Sequence, residues 1–153
     1  MADNINKITT HSTAETEREA ERFAASLKGN ETIAFFGGLG MGKTAFVRGL
    51  ARGLGVDADS VSSPTFAIMH EHDNADGRLA LCHYDMYRIS GWEDLETTGF
   101  FDTLDRCVNA VEWSENIEEA LPLPRWHITI ERGVSDDERV ITEEYISGEA
   151  RSE

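Results

Sequence analysis

The sequence predicts an α/β fold in which a mixed sheet carries a β-hairpin and is flanked by helices. Three observations carry that prediction. Thr32 to Phe36 is a short apolar run, a glycine-rich segment follows it, and from Lys43 onward apolar residues recur at helical spacing. Strand-like alternation lies on both sides of Asp73 to Gly77, as in two strands joined by a turn. Cys107 to Val111 is a further short run, apolar except for Asn109, the pattern of a strand covered on both faces.

Ser12 with Glu15 three residues later is a capping-box pattern, and Ala20, Phe23, Ala24 and Leu27 share one helical face, so a first helix is expected from Thr13 to Lys28. The Gly29-Asn30 break separates it from the strand Thr32 to Phe36. Beyond the glycines, Phe46, Val47, Leu50, Ala51 and Leu54 mark the buried face of a second helix, which Gly55 stops. Ser62-Ser63-Pro64-Thr65 reads as a turn, Phe66 to His72 as a strand, and Leu79, Leu81 and His83 as its returning partner. Trp92 to Leu95 is helical in pattern, although Gly91 and Gly99 interrupt its surroundings. Trp126, Ile128 and Ile130 alternate with polar residues, and Arg139 to Glu144 is the last strand expected.

At 153 residues the chain has the length of one ordinary domain, with an acidic tail expected from about residue 147. Fourteen basic against 29 acidic residues leave a formal charge of −15, which opposes direct contact with nucleic-acid phosphates. No segment approaches the apolar length of a membrane helix, and Met1 to Glu15 has neither the basic start nor the apolar centre of a signal peptide. A cytoplasmic protein is therefore expected, with Cys82 and Cys107 as reduced thiols.

Gly37-Gly38-Leu39-Gly40-Met41-Gly42-Lys43-Thr44 fits the pattern G-x-x-x-x-G-K-[ST] at every specified position. Glycines let backbone N–H groups approach and surround anionic oxygens, and the helix beginning at Lys43 aims its positive end at the same point. The expectation is a P-loop NTPase-like fold whose nucleotide-binding segment runs through Gly37, Gly38, Leu39, Gly40, Met41, Gly42, Lys43, Thr44 and Ala45. Lys43 is expected to bridge phosphate oxygens and Thr44 to ligate Mg2+.

Such a site also needs a carboxylate at the end of a neighbouring strand. Glu112 and Asp85 both qualify. Glu112 is assigned to the metal, because the approach to it through Val108 to Val111, apolar except for Asn109, is that of a buried strand. Asp85 then either meets the metal through water or orients the attacking water, and the sequence does not separate the two. Thr65 is a candidate sensor of the γ-phosphate. His70, His72 and His83 are read as surface or packing residues instead of a zinc cluster, and Tyr87, Arg88 and Trp113 as packing before nucleotide or partner contacts.

Taken together, the loop, Ser63-Pro64-Thr65-Phe66, His83-Tyr84-Asp85-Met86-Tyr87-Arg88 and Val111-Glu112-Trp113, in this order and spacing, resemble the TsaE family, formerly YjeE. The similarity runs from the first helix to about residue 132. It implies a compact α/β fold, ATP and Mg2+ as cofactors, and weak intrinsic ATP hydrolysis stimulated by partners. Those partners would be TsaB and TsaD, which transfer threonylcarbamoyl to the adenosine beside the anticodon of ANN-decoding tRNAs. The resemblance further implies that Thr44 and Glu112 ligate the metal, that Lys43 holds phosphates, and that Asp85 and Thr65 are needed for turnover. tRNA would be met only through the complex, with no membrane and no DNA involved. Met41 stands where the family usually carries alanine, and its side chain is expected to point away from the phosphates. Two other readings compete. A small-molecule kinase would use the same loop, but Arg78, Arg88 and Arg106 form no obvious lid. A GTPase would need guanine-reading motifs that the sequence lacks.

Overall fold

The structure, a computed structural model, describes residues 5–36, 42–61 and 69–148. Seven strands form one sheet: β1 (Ile5–Thr10), β2 (Thr32–Phe36), β3 (Met69–Asp73), β4 (Leu79–Asp85), β5 (Val108–Glu112), β6 (Arg125–Arg132) and β7 (Arg139–Ile146). Their order across the sheet is β1-β7-β6-β2-β5-β4-β3. β6, β2, β5 and β4 run parallel, while β3 and β7 turn back antiparallel on their neighbours and β1 pairs antiparallel with β7. The mixed sheet and its β3–β4 hairpin are those the sequence predicts.

Helices cover both faces. α1 (Thr13–Ala24) and α2 (Lys43–Gly53) pack on one, where Phe23, Phe46, Val47 and Leu50 meet Ile33, Phe35, Val108, Ala110 and Ile128. The short helices α3 (Trp92–Glu96) and α4 (Phe100–Thr103), with the 3-10 segment Ser114–Ala120, cover the other through Leu95, Phe100 and Ile117 against Cys82, Tyr84 and Val111. Double coverage explains why β5 is buried along its whole length.

Local chemistry sets the ends. Ser12 Oγ accepts from the Glu15 N–H at 3.1 Å, and Glu15 reaches back to the His11 N–H at 2.7 Å, one residue earlier than a strict capping box requires. α1 ends at Ala24 and not at Lys28. There the chain tightens into three-residue turns, Ser26 N–H to Phe23 and Leu27 N–H to Ala24, and the Glu31 carboxylate collects the N–H groups of Lys28, Gly29 and Asn30. The hairpin strand expected from Phe66 begins at Met69 within the described residues, and β5 and β6 each run past Val111 and Ile130. β1, to which no element was assigned from sequence, adds an edge strand paired with β7 from Ile5↔Glu144 to Thr10↔Arg139.

Candidate functional site

β2 ends at Phe36, where the glycine segment begins, and α2 starts at Lys43. Gly37, Gly38, Leu39, Gly40 and Met41 lie outside the described residues, as does Thr65. Gly42 precedes α2 with φ 97°, in the left-handed region that glycine adopts freely, and no side chain caps the helix there. No capping side chain therefore competes for the amides of the first turn of α2. Thr44 and Ala45 follow in the first turn, half-buried. A cavity of about 190 Å³, lined by Gly42, Ala45, Ser12, Thr16 and Arg139 among others, opens beside this helix start.

The two candidate carboxylates are neighbours. Asp85 pairs in register with Glu112 at the ends of the parallel strands β4 and β5. β5 lies next to β2, whereas β4 is one strand further out. Glu112 shares the sheet face of Val108 and Ala110, the face that α2 covers. It is 7% exposed, and its Oε2 stands 2.5 Å from His83 Nε2. A ring N–H at Nε2 donates to the carboxyl, which leaves Nδ1 buried without a hydrogen-bond partner. Asp85 is half-buried. Burial pushes its pKa above the ordinary value, the Tyr87 N–H opposes that, and the nearby Glu112 adds to it.

Lys43, 5% exposed, places Nζ 5.3 Å from the centre of the Trp113 ring, and Trp113 packs against Tyr87 with ring centres 4.8 Å apart. Trp113 holds φ 60°, a left-handed conformation that costs an L-residue about 1–2 kcal/mol. The packing roles read for Tyr87 and Arg88 need correction, since Tyr87 is 58% exposed and Arg88 is exposed. His83 is fully buried, as a packing residue would be, and in addition meets the carboxyl of Glu112. The signal for His83 was its place two residues before Asp85, which puts both on one strand face. His72 is a packing residue, with Nδ1 3.2 Å from Ser60 Oγ, and burial lowers its pKa.

These groups suit a phosphate with a hard cation. Glu112 and Thr44 offer oxygen donors, as Mg2+ prefers, and one or two protein oxygens leave room for water and phosphate. Among the described residues no cluster of three or more His, Cys, Asp or Glu is arranged to hold a metal.

A family model described as "Threonylcarbamoyl adenosine biosynthesis protein TsaE" matches residues 10–141. The chain belongs to the TsaE family. It is 43% identical over 129 residues to the Bacillus subtilis "tRNA threonylcarbamoyladenosine biosynthesis protein TsaE", covering 84% of this chain and 78% of that one. The Treponema pallidum protein of the same name is 34% identical over 143 residues, 89% of this chain and 98% of its own. Among solved structures, the crystal structure of Bacillus subtilis YdiB superposes with a TM-score of 0.72 at 34% identity, over 95% of this chain and 88% of that one. Membership in the TsaE family agrees with the four ordered motifs and with the α/β architecture. No helix among the described residues is long and apolar enough to cross a membrane.

Proposed function

We propose that this chain binds and hydrolyses ATP with Mg2+ and serves the threonylcarbamoylation of the adenosine beside the anticodon in ANN-decoding tRNAs, acting with TsaB and TsaD in the cytoplasm. The observation that supports it best is Glu112. A buried carboxyl ends the strand beside β2, on the sheet face covered by α2, the helix that starts at Lys43. A solvated strand-end acid would have no reason to be there.

In this reading the amides from Gly37 to Ala45 and the start of α2 hold the phosphates. Lys43 supplies positive charge to them, and its stem and Trp113 exclude water from one side. Thr44 and Glu112 hold Mg2+, which when bound neutralises charge developing on the phosphate oxygens. Asp85, raised in pKa by burial, orients the attacking water or meets the metal through one. Thr65 answers to the γ-phosphate. The chain works as one unit and meets tRNA through its protein partners, which a charge of −15 favours over direct contact.

The test is ATP hydrolysis with and without purified TsaB and TsaD. The wild-type chain is expected to be slow alone and faster with the pair. Lys43→Ala and Thr44→Ala should each lose about 10²-fold or more, the scale of removing one transition-state charge contact. Wild-type turnover in both variants, or phosphate appearing on a small-molecule acceptor, would reject the assignment.

A further inference from the structure

Away from the phosphate loop, a groove of about 440 Å³ runs between α3 and the 3-10 segment Ser114–Ala120. Its floor is apolar, with Ile89, Leu95 and Ile117. Beside it Trp92 and Phe101, 58% and 39% exposed, stack with ring centres 5.8 Å apart and planes within 9°. Such large exposed aromatic area costs free energy in water unless something covers it. The walls are pinned: Asn116 Nδ2 donates to the carbonyls of Met86 at 2.8 Å and Tyr87 at 3.1 Å, and Asp94 accepts from Ser90. A ligand would therefore find the groove already formed.

Charge identifies the occupant. Glu115, Glu118 and Glu119 line one bank, and Glu93, Asp94 and Glu96 stand on α3, the helix that forms the other; all six are exposed, and they outnumber the exposed cations of this stretch, Arg88 and Arg106. We propose that this groove and the Trp92–Phe101 stack form the docking surface for a basic protein partner, which seats an apolar side chain between the glutamate banks and sets lysines or arginines against them. Nucleic acid is disfavoured, because its phosphates would meet mainly carboxylates. The surface is continuous with the candidate site. Tyr87 lies on the loop that Asn116 clamps, packs on Trp113, and Trp113 lies under Lys43. Seating a partner here would bear on the residues around the phosphates.

The inference rests on the proposed function only for the identity of the partner, and the TsaB–TsaD pair is the probe. Titration of the full-length chain against that pair, with ATP and Mg2+, should show binding that weakens as salt is raised. Trp92→Ser with Phe101→Ser should weaken it about tenfold or more, as expected for buried aromatic anchors. Glu115→Lys with Glu119→Lys, which alters only exposed side chains, should do likewise. The glutamate variant should keep the wild-type melting temperature and both should keep wild-type ATP affinity, while the aromatic variant, which also loses the Phe101 contact with Phe100, is compared at a temperature where it is fully folded. If both bind the pair as the wild type does, the docking surface is wrong and the proposed function stands. If the wild-type chain does not bind the pair at all, the partner reading and this surface fall together, while ATP hydrolysis is judged separately. A wild-type dimer dissolved by the substitutions would give the surface to a second copy, and tRNA binding lost in them would give it to RNA; either overturns the proposal.

Discussion

A carboxyl buried to 7% exposure needs a partner that outweighs its lost hydration, and for Glu112 that partner is His83 at 2.5 Å. Asp85, one strand further from β2 and half-buried, keeps more contact with solvent and takes its hydrogen bond from the Tyr87 backbone. The two acids should therefore respond differently to removal. Glu112→Ala should weaken Mg2+-dependent ATP binding by about tenfold or more, whereas Asp85→Ala should chiefly slow turnover. Calorimetric titration with and without Mg2+ checks this, and the reverse order would exchange the two roles. Glu112 and Asp85 were legible as strand-end acids because a largely apolar run leads into the first and a returning hairpin strand into the second. His83 was not read as their neighbour, because one histidine among three on a hairpin carries no label until the register brings its ring diagonally across from Glu112.

At the scale of elements, α2 is positioned by α1 with almost no space between them. A Cβ on Gly49 would lie 2.2 Å from the Glu17 carbonyl oxygen and 2.6 Å from Ala20 Cβ, and one on Gly53 would lie 2.6 Å from Ala24 Cβ. Mid-helix glycine costs about 1 kcal/mol relative to alanine, so Gly49 trades helix propensity for close approach, while Gly53 does its part at the last residue of α2. Glu17 adds ion pairs to Arg48 at 3.4 Å and Arg52 at 3.0 Å across the same seam. Gly49→Ala should destabilise the fold by about 1–3 kcal/mol, since helix backbone, unlike a side-chain tip, does not yield. Chemical denaturation measures it, and a stability gain of the size alanine brings to an open helix would refute the close packing. Apolar periodicity located α1 and α2, but the end of α1 depended on Glu31 capping the following loop.

Across the whole molecule, the sheet brings Glu143 of β7 to Glu19 of α1, with Arg22 and Asn6 completing the surroundings. Burial, with Glu19 beside it, pushes Glu143 up to about 8. Burial also works to raise Glu19, but the Arg22 guanidinium, hydrogen-bonded to it, holds it below its usual value. A protonated Glu143 thus avoids setting a second buried negative charge beside the Glu19 carboxylate. The folded chain keeps this proton where the unfolded chain, with a carboxyl near 4.5, has lost it, so the stabilisation is complete below 4.5 and disappears as pH rises through about 8. Glu143→Gln, which has no proton to lose in this range, should flatten that decline in denaturation curves taken across this window; an unaltered slope would exonerate the pair. β1 and this pair were hidden from the sequence, since an edge strand half polar along its length has no periodic signature and its partner β7 lies more than a hundred residues away. By itself the sequence determined the strand–loop–helix order, the hairpin and the acids at strand ends, because these follow from periodicity and turn chemistry between near neighbours. Only the tertiary structure decided which acid lies beside β2, which histidine supports it, and which aromatic residues stay in water, because strand order, register and burial arise from contacts between residues far apart in the chain.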